Sequence, residues 1–163
     1  MAEKDRAVSD TGPILHLHEI NAIKAMDLFS IYVPEEVSEE MIKLRKKRFG
    51  ILLMLKPKYK DISKLIAIEN FIDIAESQAI ALALQERIKL FFTDDLEARN
   101  IGKRYGLEVH GTLGILLRSF REGIFKKDEA IRNVIALYEN SSLFITSDLV
   151  KWTIDRINEF QEC

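Results

Sequence analysis

Lys89–Asn100, KLFFTDDLEARN, is the stretch from which the fold of this chain is read. Leu90, Phe91, Phe92 and Thr93 form an apolar, β-prone run, too short and too aromatic for a surface helix. Such a run reads as a strand buried on both faces, as in a parallel sheet. It stops at two adjacent carboxylates, Asp94 and Asp95, and from Leu96 the pattern turns helical, with Leu96, Ile101 and Tyr105 among charged residues. In open α/β sheets ligands sit beyond the carboxyl ends of the strands, where this acidic pair falls. The plainer alternative makes Asp95 a helix cap and Asp94 a turn residue.

Outward toward the C-terminus, a helix over Leu96–Tyr105 is stopped by Gly106. A short strand follows at Leu107–Val109, then a helix from Thr112 to Arg121 stopped at Gly123. Lys127–Glu139 and Thr146–Phe160 read as amphipathic helices capped by Asp128 and Ser147. Outward toward the N-terminus, a helix starts at Asp73 or Ala75 and runs to about Arg87. Lys64–Ile68 reads as a strand or extended piece, Ile51–Leu55 is ambiguous, and Glu35 opens a helix to about Phe49. Ile31–Val33 is a strand closed by Pro34, and Asn21–Phe29 and Ile14–Leu17 are helical stretches. Arg6–Asp10 is the first strand, and Thr11-Gly12-Pro13 places a proline near a helix start, where its missing N–H costs little. Strands alternating with longer helices predict parallel βαβ units in a three-layer α/β/α domain with a short parallel sheet. A single domain is expected over 1–163, with a core at about 6–123 and a helical extension at about 124–163. Right-handed crossovers bring every strand's carboxyl end to one edge.

The balance of 24 basic to 26 acidic residues excludes a globally basic nucleic-acid binder but leaves room for a local basic patch. Cys163 is the single cysteine, so an internal disulfide and a thiolate metal site are excluded. No apolar run approaches the roughly 20 residues of a membrane span, and no signal peptide is seen, so a soluble, cytoplasmic chain without a membrane partner is expected.

Which carboxylates reach the common edge follows from phase. Asp10 ends the first strand and Asp94 the strand read above. At about 100° per residue, Glu40 lies about 60° from Val37 on the face of Val37, Met41 and Leu44, whereas Glu39 points to water. Glu76 shares its helix face with Ala79, Ile80 and Ala83. Each has a plain alternative: a turn or cap for Asp10, and for Glu76 a first-turn charge in an Asp73-x-x-Glu76 capping box. Four like charges at one edge would repel and raise one another's pKa, and a shared Mg²⁺ or Mn²⁺ resolves this through oxygen ligands. Asp95 is a further candidate ligand. Such a site can activate water for in-line phosphoryl displacement, with Thr11 and Thr112 placed to orient water or substrate or to serve as turn and cap residues. His16 and His18, two apart on a helix, and the isolated His110 offer no zinc site. Nine Lys or Arg against one Asp between Lys43 and Lys64, with Phe49 and Tyr59 interleaved, resemble a phosphate-backbone track centred on Arg45, Lys46, Lys47 and Arg48, or else a solvated helix face.

Four segments resemble the PIN domain, the ribonuclease fold of VapC-type toxins, and within it an archaeal and bacterial nucleic-acid-binding subfamily. SDTGPILHL is similar to the family's opening strand and turn, YVPEEVSEEM to the segment carrying its glutamate, here Glu40, and AESQAIALAL to the helix carrying its third acid, here Glu76. FFTDDLEARNIGKRYGLEVHGTLGILL resembles the strand-acid-helix unit and points to Asp94 as the metal ligand, with Asp95 as the alternative if the spacing shifts by one. The resemblance spans roughly Val8–Gly123; Gly12 stands where Ser or Asn is common, and Ala75 where Gly is. It implies Mg²⁺- or Mn²⁺-dependent hydrolysis of RNA, frequently by a homodimer held by a small antitoxin protein.

The expectation is therefore a metal-dependent endoribonuclease using Asp10, Glu40, Glu76 and Asp94, with a weakly active nucleic-acid-binding PIN module as the alternative. A receiver domain would need adjacent acids after the first strand, and a DxD phosphatase an Asp at residue 12, which is Gly.

Overall fold

The computed structural model describes residues 3–35, 37, 39, 52–54 and 74–161. The described elements are strands β1 (Asp5–Ser9), β2 (Phe29–Val33), β3 (Leu52–Met54), β4 (Leu90–Phe92) and β5 (Glu108–His110), and helices α1 (Thr11–Glu19), α2 (Ile74–Gln85), α3 (Leu96–Arg104), α4 (Thr112–Arg121), α5 (Lys127–Asn140) and α6 (Ser147–Glu159). The strands form one sheet in the order β3-β2-β1-β4-β5. Every pair is parallel, as the βαβ pattern predicts.

Two apolar layers sandwich this sheet, and the short strands show why. Leu90 and Phe92 join the cluster built with α1, α4, α5 and α6, while Phe91, one residue out of phase, joins the cluster built with α2 and α3. β1 divides in the same way, Ala7 to the first layer and Val8 to the second. Phe92 meets Phe29 of β2 edge to face, ring centroids 4.9 Å apart; such a pair adds about 0.5–1.5 kcal/mol beyond burial. Ala130, Val134 and Leu137 of α5 and Val150 and Ile157 of α6 are buried in the first layer. The two C-terminal helices thus cover the same core as α1 and α4.

Several elements differ in detail from the sequence reading. The stretch expected to be helical from Asn21 to Phe29 is a 3-10 helix, Ile23–Leu28, that passes directly into β2. Only nine residues, 20–28, separate α1 from β2, and three of them are spent on the turn out of α1, so the connector is a short 3-10 helix of six, a common use of such turns. The last strand is Glu108–His110 rather than Leu107–Val109. The cap of α6 is Thr146, whose side chain accepts from Leu149 N–H, not Ser147. α5 begins after Lys126 without a side-chain cap, so Asp128 lies in its first turn, where the helix dipole favours it. Gly106 follows α3 at φ +80°, a left-handed stop that a side chain would strain. Glu35, Val37 and Glu39 are helical. The remainder of the helix expected to reach Phe49, and the extended piece at 64–68, lie outside the described residues.

Candidate active site

In this strand order the chain runs outward from β1 on one side through β2 and β3, and on the other through β4 and β5. The order reverses between β1 and β4, and at such a switch point a crevice opens beyond the strand ends. Asp10 follows β1 and Asp94 lies just beyond β4, so the two sequence-predicted strand-end acids flank that crevice. The ladder fixes their neighbourhood. Asp10 N–H donates to Phe92 C=O at 2.8 Å, and Thr93 N–H donates to His110 C=O at 3.0 Å.

Asp10 is the N-cap of α1, and its Oδ1 accepts from Thr11 N–H at 2.8 Å. Its Oδ2 accepts from the hydroxyl of buried Thr93 at 3.2 Å. The same Thr93 oxygen accepts from Asp95 N–H at 3.3 Å, so one hydroxyl ties the first acid to the loop bearing the second.

Asp94 is held more tightly. Its Oδ1 accepts from Thr112 N–H at 2.7 Å, and its Oδ2 from the Thr112 hydroxyl at 2.5 Å. His16 Nδ1 stands 2.6 Å from Oδ2, and both side chains are only 11% exposed. Burial pushes the Asp94 carboxyl up, but the hydrogen bonds from His16 and Thr112, with the charge of His16, outweigh it and hold the group below its ordinary value. An ionised carboxylate can only accept, so His16 presents Nδ1–H to it. Asp94 is therefore a fixed, buried anion at the crevice.

Asp95 has a different role. It is exposed and caps α3, Oδ1 accepting from Ala98 N–H at 2.7 Å. The adjacent acids thus divide into a buried anion and a surface cap. The chain passes close to Asp94 at two glycines, and only at Gly111 does the approach leave no room for a side chain. A Cβ on Gly12 would stand 3.6 Å from His16 Cε1 and 3.7 Å from Asp94 Oδ2, so the first turn of α1 passes alongside the carboxylate. A Cβ on Gly111 would overlap the Arg99 guanidinium and lie 2.8 Å from Asp94 Oδ1.

Thr11 is buried beside Asp10, and Thr112 commits both its N–H and its hydroxyl to Asp94. Glu76, half-buried, sits in the first turn of α2, and a helix leading into a parallel strand starts at the sheet's carboxyl edge. Glu40 and the basic residues Arg45, Lys46, Lys47 and Arg48 lie outside the described residues. Among the described residues no three His, Cys, Asp or Glu side chains converge closely enough to hold a metal ion. The donor set at the crevice is nevertheless of the kind a hard divalent cation takes, carboxylate oxygens with one carboxyl held ionised. Asp10 and Asp94 would supply the first ligands.

The sequence reading missed His16, Thr93 and Arg99. The signal for His16 is its spacing of four from Gly12, which places both on the face of α1 that passes Asp94.

The family model of the PIN domain matches residues 6–159 of this chain. The chain belongs to the PIN-domain family. The match extends through α5 and α6 as well as the strand-end acids. PIN domains are commonly nucleases and generally depend on divalent metal. No curated protein matches the chain significantly. Among the described residues no helix is long and apolar enough to cross a membrane.

Proposed function

We propose that this PIN domain is an Mg²⁺- or Mn²⁺-dependent endoribonuclease that hydrolyses RNA phosphodiester bonds at the crevice between β1 and β4. The observation that carries the reading is Asp94, a carboxylate kept ionised in a buried position by His16 and Thr112 and set across the switch point from Asp10. A buried anion with this much support, in a crevice, is the kind of perturbed group that marks a functional site.

In this reading Asp10 and Asp94 bind the cation, with Glu76 and Glu40 completing the acidic set. The chemistry such an ion supplies is acidification of a water and neutralisation of charge on the phosphoryl oxygens. The protein's own part is positioning. Thr112 and His16 fix the rotamer and ionisation of Asp94, and Thr93 keeps Asp10 in register with it, so no reorganisation is needed when substrate arrives. Arg45–Arg48 would attract the phosphate backbone. By its family resemblance we read the chain as the toxin of a toxin–antitoxin pair, a cytoplasmic homodimer bound by a small antitoxin.

Cleavage of a labelled RNA oligonucleotide by the purified chain, with Mn²⁺ or Mg²⁺ and with EDTA, tests the reading. Metal-dependent internal cleavage that falls to background in Asp10→Asn and Asp94→Asn is expected, with the far-ultraviolet circular dichroism of both variants unchanged. A wild-type rate in either variant removes that residue from the site. RNA binding that is unaffected by EDTA, with no cleavage in Mn²⁺, makes the chain a binding module instead.

A further inference from the structure

A groove of about 470 Å³ adjoins the acidic crevice, lined by Asp94, Arg99, Leu113, Phe144, Leu149 and Trp152 among others. Two of its features bear on a ligand. The Trp152 ring is covered on one face by the Arg156 guanidinium, 5.7 Å from its centroid, and is open on the other side. Phe144 is 90% exposed and Trp152 52% exposed, although both are large apolar side chains; contiguous exposed apolar surface of this kind marks a contact site. The guanidinium of half-buried Arg99 has no hydrogen-bond or ion-pair partner among the described residues, whereas its backbone N–H donates to Asp95 C=O at 3.0 Å. Its guanidinium and the Asp94 carboxylate flank the same gap above Gly111. A cation without a side-chain partner thus stands beside Asp94, and two exposed aromatic rings line the same groove.

We propose that this groove is the track for the single-stranded nucleic acid that flanks the scissile bond, with Arg99 on a backbone phosphate and Phe144 and Trp152 stacked on bases. The inference rests on the nuclease reading of Asp10 and Asp94. A strand with its phosphate at the acids must continue over adjacent surface, and this groove is continuous with Asp94. Guanidinium is a planar fork that matches phosphate oxygens, and exposed rings accept any base by its π-face. An apolar protein segment laid in the groove would instead bury the Arg99 charge without a partner, which is costly. A duplex would hide the base faces the rings require.

Trp152 is the single tryptophan of the chain, so its fluorescence reports stacking directly. The probe is a single-stranded RNA 12-mer titrated into the full chain with EDTA, beside an abasic 12-mer and a duplex. Quenching by the intact single strand only is expected. Phe144→Ala and Trp152→Ala, read by anisotropy of a labelled 12-mer, each weaken binding by roughly fivefold or more. Arg99→Ala lowers the slope of log affinity against log salt by about 0.7. In the cleavage assay all three raise KM more than they lower kcat. Equal affinity for intact and abasic strands, or wild-type Kd and KM in the ring variants, overturns the proposal. So does a dimer that Phe144→Ala converts to monomer without affecting RNA binding, since the groove is then a copy-to-copy interface. If the wild type cleaves nothing but Trp152 is quenched only by intact single strands, the nuclease reading fails and the track stands.

Discussion

Thr112→Val changes one atom at the point where the structure concentrates its support for Asp94. Valine keeps the shape of threonine and the backbone N–H that donates to Asp94 Oδ1 at 2.7 Å, but removes the hydroxyl that donates to Oδ2 at 2.5 Å. Thr112 is fully buried, so water does not reach in to replace the lost donor. A hydrogen bond to a charged group contributes about 1.5–3 kcal/mol. In a chain of this length that corresponds to a fall in Tm of about 3–12 °C. The cost depends on pH with a definite sign. The folded Asp94 pKa is depressed, so its contribution to stability is present above the unfolded value of about 3.9 and is lost as pH falls through the folded value. The valine variant weakens that depression. Its destabilisation is therefore full at pH 7 and shrinks as pH is taken below about 4. Urea unfolding of wild type, Thr112→Val and Thr112→Ser over this range measures the effect, and serine, which retains the hydroxyl, loses less at pH 7. A valine cost that is the same at both ends of the range, or below about 0.5 kcal/mol at pH 7, refutes the assignment of Thr112 as the anchor of an ionised Asp94.

Asp95→Ala removes the cap of α3 and costs about 1 kcal/mol in urea unfolding, while RNA cleavage per folded molecule stays at the wild-type level. A large loss of activity without loss of stability would move Asp95 into the site. Gly111→Ala forces Arg99 aside and presses on Asp94 Oδ1, so both RNA affinity and stability fall. Gly12→Ala meets only ordinary contacts, 3.6 Å and beyond, and lies in the first turn of α1, so stability is kept or raised by up to about 1 kcal/mol. Equal effects at the two glycines would contradict the crowding seen at Gly111.

The fold was legible because β4, an interior strand of the sheet, is buried on both sides. Leu90–Phe92 has no polar face, which excludes a surface strand, and the two adjacent aspartates mark where it ends. The order of strands was not legible. Nothing local distinguishes β4 beside β1 from β4 at an edge, and that pairing alone brings Asp10 and Asp94 to one crevice. The separation of Asp94 from Asp95 was half legible. A cap at Asp95 follows from the helix at Leu96, but the burial of Asp94 depends on Thr112, eighteen residues on, and on His16, seventy-eight residues back. Cap positions differ by a residue or two: at α6 Thr146 and Ser147 both suit an N-cap, while the N-cap of α5 is Lys126, which offers no acceptor, and Asp128 is left in the first turn. Arg99 drew no notice because a lone arginine on a polar helix face is ordinary; only its place over Gly111 sets it apart.

In the proposed site Asp10 and Asp94 share a divalent cation. Anomalous diffraction from a crystal soaked in Mn²⁺ tests it most directly. A peak is expected in the crevice beyond β1 and β4, within about 2.0–2.3 Å of a carboxylate oxygen of each residue. A crystal at saturating Mn²⁺ with both carboxylates well ordered and no peak between them, or with the ion held elsewhere, contradicts it.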